Sequence, residues 1–147
     1  EPRIISAARQ VNESVGNTVS IEVMRLMTQK RIHIVDSNIL VLGLAFKENC
    51  PDLRNTRVID IVRELQSNNA IVDVYDPWVD ADECRALYGV EVVTEPEQGK
   101  YDAIVVAVAH QQFKEMSIDG IRRLGKETNV IYDIKYLLPK DVVDGRL

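Results

Sequence analysis

The fold is decided by residues 39–75, which read ILVLGLAFKENCPDLRNTRVIDIVRELQSNNAIVDVY. The stretch begins with an apolar run over Ile39–Leu44 and ends with a second over Ile71–Tyr75, a pattern typical of strands buried on both faces. Between the two runs, apolar residues recur at the spacing of one helix face: Val58, Ile61, Val62 and Leu65. This order predicts two parallel strands joined by a crossover helix that ends near Asn68.

The same alternation continues to the end of the chain. Further strands are predicted at three places: Val90–Val93, Ala103–Ala109 and Val130–Tyr132. One short helix is predicted from Asp80 to Gly89, and another lies between Ser117 as its cap and Gly125 as its terminator. Together these elements predict a Rossmann-like, doubly wound α/β fold with a parallel sheet of about five strands, in the order 3-2-1-4-5.

A long helix is predicted before the sheet. From Pro2 to about Gln29, apolar residues recur at spacings of three and four: Ile4, Ala8, Val11, Val15, Val19, Val23 and Leu26. Such a helix would be about 40 Å long, which exceeds the radius of so small a domain. Part of it is therefore expected to project and to pack against a neighbouring domain or a second subunit. We expect residues 1–31 to form this helical region and residues 32–147 to form the α/β domain.

The composition is that of a soluble globular protein with one core: 147 residues, 46% of them apolar and 28% charged. The apolar runs are far shorter than the roughly 20 residues that a membrane-spanning helix needs, so no membrane segment is expected. The net charge is −5 and the basic residues are scattered, so nucleic acid is not an expected partner. Two cysteines without a CxxC pair or a secretory signal predict a cytoplasmic protein without a metal site. Because the chain opens on Glu1 rather than Met, we expect it to be a piece of a longer protein.

A ligand is expected beyond the carboxyl ends of the strands, between the first and fourth predicted strands, where the strand order reverses. Three loops reach this crevice: Ala45–Thr56, Ala109–Phe113 and Asp133–Tyr136. They carry six candidate residues: Phe46, Lys47, Asp52, Arg54, His110 and Lys135. Cations gathered at the switch point of an acidic protein predict an anionic ligand such as a diphosphate.

Simpler interpretations of these residues stay open. Loop lysines and arginines are more often solvated or paired with carboxylates than bound to ligands. Phe46 follows an apolar strand and would then belong to the core, and a hydrogen-bonded structural role is favoured for His110. Cys50 and Cys84 are interpreted as inert thiols.

A stand-alone NAD-binding domain is a weaker interpretation. The strand at Ile39–Leu42 and the later Asp76 imitate the dinucleotide pattern, but the residues after Gly43 are LAFK and form no GxGxxG turn. Asp76 also lies 33 positions after Gly43 (76 − 43), compared with the usual distance of about 20. A phospho-acceptor receiver domain is disfavoured as well, because Leu44–Lys47 carries no carboxylate.

Four motifs, in order along the chain, resemble the C-terminal, UDP-binding domain of the UDP-glucose/GDP-mannose dehydrogenase family. They are VLGLAFKENCPDLRNTRVIDIVREL (Val41–Leu65), VDVYDPWV (Val72–Val79), YDAIVVAVAHQQF (Tyr101–Phe113) and IYDIKYLLP (Ile131–Pro139). The chain is most similar to the branch that acts on UDP-N-acetylhexosamines in Vi-antigen and O-antigen biosynthesis. The resemblance covers essentially the whole chain.

The resemblance implies an NAD-dependent enzyme that oxidises the C6 alcohol of a UDP-sugar to a carboxylate in two steps. Enzymes of this family have an N-terminal NAD-binding domain, a helical middle region and a C-terminal UDP-binding domain. The implied partners of this chain are a UDP-sugar and a second copy, which would form a homodimer through the long helix. The alternatives are a non-catalytic dimerisation domain and a stand-alone NAD-binding module.

The resemblance also implies roles for individual residues. Phe46 and Lys47 match positions that line the UDP-sugar site, and Arg54 matches an arginine that reaches the NAD site of the neighbouring domain. Lys135 stands where UDP-glucose dehydrogenases commonly carry the arginine of an Asp-Gly-Arg motif, a departure that favours the acetylhexosamine branch.

The family's catalytic cysteine lies in a GxCxxKD or GxCxPKD loop, and neither cysteine of this chain has that context. No catalytic residue is therefore assigned to the chain, and the chain alone is expected to be inactive.

Overall fold

The computed structural model describes the backbone of residues 3–147 and the side chains from residue 15 onward. Glu1, Pro2 and the side chains of Ile4, Ala8 and Val11, on which part of the helix prediction rests, lie outside this described part. The helices are α1 (Arg3–Gln29), α2 (Val58–Ser67), α3 (Ala81–Tyr88) and α4 (Gln111–Arg122), and a short 3-10 helix covers Lys140–Val142. The strands are β1 (Asn38–Leu42), β2 (Ile71–Tyr75), β3 (Tyr101–Val106), β4 (Gly125–Asp133) and β5 (Gly145–Arg146).

The five strands form one parallel sheet in the order β2-β1-β3-β4-β5. Strands β1 and β3 are neighbours, so the strand order reverses between the first and fourth predicted strands, as expected. The strand predicted at Val90–Val93 is reduced to a single bridge between Val92 and Val74, at the outer edge of β2. The two-residue strand β5 at the opposite edge was not predicted, because so short a segment carries no apolar pattern.

Alternate residues of the strands enter two separate cores. Ile39 and Val41 of β1 pack on one face with α1, α2 and α3. Leu40 and Leu42 point to the other face and pack with residues of α4 such as Phe113. All four β1 side chains are fully buried, which explains why the strand is a continuous apolar run. The prediction of a doubly wound α/β fold is confirmed.

The second half of α1 belongs to the first core. Val19, Val23 and Met27 are fully buried there, at the spacing of one helix face. Immediately after the helix, the Lys30 ammonium donates to the backbone carbonyl of Asn129 in β4 at 2.6 Å. One face of α1 thus packs on the sheet over the residues whose side chains are described, and the expectation that part of the helix projects stays a prediction. No helix in the part of the chain that the structure covers is long and apolar enough to cross a membrane.

Helix α4 and strand β4 differ from the predicted elements. The helix begins at Gln111, before the predicted start, and Ser117, with a φ of 61° and a ψ of 177°, breaks it, so that its second part begins at the predicted cap position. Gly125, predicted as a helix terminator, is the first residue of β4. Most of the first residues of β4 are polar and exposed. The apolar pattern therefore predicted only the buried end of this strand, at Val130–Tyr132.

Candidate ligand-binding site

The loops after β1, β3 and β4 meet at the carboxyl edge of the sheet, the edge at which the strands end. There Phe46 and Lys135 line the same cleft, which has a volume of about 290 Å³. Its other walls include Val15 and Val19 of α1 and the chain's last residue, Leu147. The resemblance implies binding roles for four residues, and the structure brings two of them together from loops far apart in the sequence.

Phe46 is exposed to 55%, although it directly follows the buried residue Ala45. Its backbone N–H donates to the carbonyl of Asp52 at 2.7 Å, which closes the loop and keeps the ring outside the core. The interpretation of Phe46 as a core residue is wrong. An aromatic ring at the wall of a partly apolar cleft is a common feature of small-molecule binding sites.

Lys47 and Lys135 are both exposed. Among the described residues, neither has a carboxylate within 4.0 Å, so neither is neutralised by an ion pair. The Lys47 charge contributes only in small part to the lowered pKa of the nearby Asp52 carboxyl. The backbone of Lys135 is fixed by a hydrogen bond from its N–H to Asp133 Oδ1 at 3.2 Å. Two ammonium groups on anchored loops are thus available to an anion.

Arg54 does not line the cleft, and its guanidinium Nε lies 3.1 Å from Asp52 Oδ1. Hydrogen bonds from the Arg54 side chain and backbone hold the pKa of the Asp52 carboxyl below its usual range. The simpler interpretation, a pair with a nearby carboxylate, is therefore confirmed for Arg54. Because the arginine side chain is 79% exposed, the pair is weak and leaves the guanidinium able to turn to another anion.

His110 is fully buried beneath the loop that follows β1. Its Nδ1 accepts a hydrogen bond from the Asn49 backbone N–H at 2.9 Å, and its Nε2 lies 3.0 Å from Asp76 Oδ2. A nitrogen that accepts an N–H carries no proton itself, so the proton is on Nε2, which donates to Asp76. The hydrogen-bonded role favoured for His110 is confirmed, and the residue adds no cation to the cleft surface.

Asp76 anchors the same loop at its beginning. Its Oδ2 also accepts the backbone N–H groups of Leu44 at 2.7 Å and Ala45 at 2.9 Å, while Oδ1 accepts that of Trp78 at 2.8 Å. Burial by itself would raise the pKa of Asp76, but the hydrogen bonds from His110 and these N–H groups outweigh burial and lower it. Asp76 is therefore an ionised anchor inside the fold.

Sequence reasoning missed this Asp76–His110–Asn49 network, although a signal was available. Asp76 directly follows β2, and His110 lies in the loop that follows β3. The carboxyl ends of parallel strands lie at one edge of a sheet, so a carboxylate and an imidazole in these positions are brought close together.

The NAD-binding alternative is weakened further by two details of the same loop. Gly43 has a φ of 99°, and a Cβ added there would lie 2.5 Å from the Val108 Cβ. The glycine thus accommodates Val108, which follows β3, so its lack of a side chain serves the protein's own packing. Asp76, which imitates the ribose-binding carboxylate, has both of its oxygens occupied by backbone N–H groups and His110.

The fold and the site together define a Rossmann-like domain whose switch point carries exposed lysines and has no glycine-rich turn. Residues 40–140 match the model of the UDP-glucose/GDP-mannose dehydrogenase family, UDP binding domain. The chain belongs to this family, and the resemblance stated from its four motifs is confirmed.

The relatives support the same family. The chain is 51% identical over 146 residues to the UDP-N-acetyl-D-glucosamine 6-dehydrogenase of Salmonella typhi, covering 99% of this chain and 34% of that protein. It is 50% identical to the enzyme of the same name from Pseudomonas aeruginosa, over 99% of this chain and 35% of that protein. The chain thus spans about a third of the length of these curated relatives.

Solved structures agree on the fold. The NDP-N-acetyl-D-galactosaminuronic acid dehydrogenase of Methanosarcina mazei superposes with a TM-score of 0.80 at 24% identity, over 96% of this chain and 29% of that chain. The UDP-D-ManNAc dehydrogenase of Pyrococcus horikoshii gives 0.77 at 24% identity, over 99% of this chain and 33% of that chain. At this identity the likeness shows the fold alone.

Proposed function

We propose that this chain is the UDP-sugar-binding domain of an NAD-dependent dehydrogenase that oxidises the C6 alcohol of a UDP-N-acetylhexosamine to the uronate. The observation that carries the proposal is the cleft at the carboxyl edge, which Phe46 and Lys135 line, with the exposed Lys47 next to Phe46 in the same loop. The substrate class is supported by the identity of about one half to two UDP-N-acetyl-D-glucosamine 6-dehydrogenases. The main NAD site and the catalytic cysteine would lie in other parts of such an enzyme.

Each site residue has a distinct role in this proposal. Lys47 and Lys135 supply positive charge to the diphosphate, as point charges that can follow a flexible anion. Phe46 provides an apolar wall for the nucleoside. Arg54 leaves Asp52 when the complete enzyme assembles and contacts the NAD bound by the neighbouring domain, so its contribution is absent from the isolated chain.

Titration of the chain with UDP, followed by amide chemical shifts, tests the site and tolerates weak binding. We expect the shifts to cluster in the loops that carry Phe46, Lys47 and Lys135. Lys47→Ala should weaken UDP binding about 10- to 100-fold, the equivalent of one charge-assisted hydrogen bond. The matched control is Lys126→Ala, which removes the same charge at the opposite edge of the sheet. Equal weakening by both variants would contradict the proposed site.

A second experiment tests the assignment of catalysis to other parts of the enzyme. The chain is mixed with NAD and UDP-N-acetylglucosamine, and absorbance is followed for NADH. We expect no NADH above the rate without protein. Formation of NADH in proportion to the chain's concentration would overturn the proposed division of labour.

We also propose that the domain forms a homodimer through α1 and works in the cytoplasm. On α1, Ile21 is 58% exposed on the face opposite the buried Val19 and Val23, and it offers an apolar contact to a second copy. The two free cysteines, Cys50 and Cys84, fit a reducing compartment. Sedimentation of the chain tests the dimer, and Ile21→Glu should shift it towards monomer.

A non-catalytic assembly domain is the rival function. It predicts a dimer whose melting temperature neither UDP nor NAD raises. The NAD-binding module, in contrast, predicts a rise with NAD and none with UDP. Our proposal predicts a rise with UDP, so thermal melting with each nucleotide separates the three.

A further inference from the structure

We propose that His110 is a positioning residue that holds the UDP-contacting loop only while its Nδ1 is unprotonated, so that acid weakens nucleotide binding. The inference rests on the proposed function for its ligand. In this inference, the Asp76–His110–Asn49 network beneath the cleft fixes the position of the loop that carries Phe46 and Lys47.

The loop is held at two points, and His110 connects them. At its beginning, Leu44 and Ala45 donate to Asp76. Further along, the Asn49 backbone N–H donates to His110 Nδ1 at 2.9 Å, while the Asn49 Oδ1 accepts the Gln111 backbone N–H at 2.8 Å. Phe46 and Lys47 lie between these two points, so their position depends on both.

Asn49 is the point at which the loop is easiest to release. Its φ of 54° is in the left-handed region, which asparagine tolerates. Other backbone conformations are still lower in energy for this residue, so it leaves the left-handed region once the restraint is lost. The bond from Asn49 to the imidazole is a neutral N–H···N contact. The bonds at Leu44 and Ala45 end on a carboxylate and are stronger.

A proton on Nδ1 acts on the two points in opposite ways. The Nε2–H bond to Asp76 persists and gains charge, so the beginning of the loop stays in place. At Nδ1, a new N–H would point at the Asn49 N–H, so that two donors face each other and neither is satisfied. The loop is therefore expected to open at Asn49 and to carry Lys47 away from the cleft.

The surroundings of the imidazole include, among the described residues, one carboxylate and two aromatic rings, with a thiol in the field of that carboxylate. The ionisable group bonded to the ring, among the described residues, is Asp76. The rings of Trp78 and Phe113, at centroid distances of 6.1 and 5.4 Å, are uncharged. Cys84 on α3 lies in the field of Asp76, but burial first and that carboxylate second raise the pKa of its thiol, so it stays neutral.

Trp78 supplies a direct readout, because it is the single tryptophan of the chain and lies beside His110. Its indole N–H donates to Gln112 Oε1 at 2.9 Å, which keeps the ring over the network. We expect Trp78 fluorescence to change when the pH is lowered from 8 to 5 and a proton reaches Nδ1. His33→Gln, which removes the exposed second histidine, should leave this change intact, whereas His110→Asn should abolish it.

Two substitutions at His110 separate positioning from packing. The Asn Oδ1 is attached to Cγ, as Nδ1 is, so His110→Asn keeps an acceptor for Asn49 that does not titrate. In His110→Gln, the amide nitrogen reaches the place of Nε2 and keeps the donor to Asp76 instead. If Nδ1 positions the loop, Gln should weaken binding about tenfold and Asn should restore most of that loss.

The ligand for this comparison is UDP-N-acetylglucosamine, whose diphosphate is esterified at both ends and does not titrate in this range. We expect its affinity for the unmodified chain to fall about tenfold from pH 8 to pH 5.5, and that of His110→Asn to stay level. A pH-independent affinity in the unmodified chain would overturn the inference, as would binding retained by Gln and lost by Asn.

Hydrogen exchange distinguishes a failure of this inference from a failure of the proposed function. The Asn49 amide should be protected at pH 8 and lose protection, beyond the change of intrinsic rate, at pH 5.5. If no UDP compound binds but this protection is lost with acid, the network responds as inferred and the proposed ligand is wrong. If UDP binds and the protection does not change, the role of His110 is refuted.

Discussion

The two edges of the sheet differ in whether their lysines are paired with carboxylates. At the amino edge, where the strands begin, the Lys30 ammonium lies 2.7 Å from Asp144. Beside it, the Lys126 ammonium lies 3.0 Å from Asp102. Both lysines line a groove of about 480 Å³, which is larger than the cleft at the carboxyl edge. The charges of these two lysines are already paired with the protein's own carboxylates, although Arg31 also lines the groove.

At the carboxyl edge, two carboxylates point inward. Asp76 and Asp133 are buried and accept backbone N–H groups of the loops above them. Lys47 and Lys135 are left without a carboxylate within 4.0 Å among the described residues. The difference teaches that cleft size does not locate the ligand site in this domain. At the smaller cleft, buried acids fix the surrounding loops, and the exposed Lys135 in its wall has no carboxylate partner among the described residues.

The largest effect is expected from removing a buried carboxylate of the carboxyl edge. Asp76→Asn removes the charge that accepts from His110 and three backbone N–H groups, and should lower the free energy of unfolding by about 3–5 kcal/mol. The control at the amino edge is Asp102→Asn, which affects a partly exposed pair and should cost about 1–2 kcal/mol. Urea denaturation measures both, and equal losses would remove the contrast between the edges.

The Asp76 carboxylate also predicts how the free energy of unfolding depends on pH in the acid range. Because the pKa of Asp76 is lowered in the folded chain, its contribution is complete above the ordinary carboxyl value of about 3.9 and is lost as the pH falls through the lower folded pKa. The difference in unfolding free energy between the unmodified chain and Asp76→Asn should therefore be steady near pH 5 and shrink below about pH 4. A difference that grows as the pH falls below about 4 would show that Asp76 is not an ionised anchor.

Backbone substitutions sharpen the contrast at a somewhat smaller scale. Gly43→Ala at the carboxyl edge combines a φ of 99° with a Cβ 2.5 Å from that of Val108, and should cost about 2–4 kcal/mol. Gly99→Ala at the amino edge has a φ of 71° but no atom within 4 Å of the new Cβ, so strain alone should cost about 1 kcal/mol. Thermal unfolding of the two variants gives the comparison. A smaller loss at Gly43 would mean that Val108 moves away easily.

Most of the fold could be predicted because its signals are local. Helix α3 was predicted from Asp80 and Gly89, and both act as expected. The Asp80 carboxylate accepts the Glu83 N–H at 3.0 Å, and Gly89 ends the helix with a φ of 67°. Strand β5 could not be predicted, because its two residues are held by distant contacts such as the hydrogen bond from Ile131 to Asp144.

The candidate site was predictable only to the level of its loops. Strand order placed the residues after β1, β3 and β4 at one edge, but the partner of each charge depends on side-chain geometry. Arg54 is paired with Asp52, whereas Lys47, in the same loop, has no ion pair with any residue whose side chain is described. The roles of Phe46, Lys47, Lys135 and Arg54 in binding stay predictions that rest on the family resemblance.

The smallest change in stability is expected from the lysines themselves. Lys126→Ala breaks the pair with Asp102, in which the lysine side chain is 47% exposed, and should cost about 0.2–1 kcal/mol. Lys47→Ala breaks no ion pair among the described residues and should leave the free energy of unfolding within about 0.5 kcal/mol. UDP affinity should show the opposite ranking, with Lys47→Ala weakened and Lys126→Ala unchanged. If lysines at the amino edge stabilise the fold and lysines at the carboxyl edge bind the ligand, urea denaturation and UDP titration should rank the two variants in opposite orders. Two variants that rank alike in both measurements would show that the edges do not differ in this way.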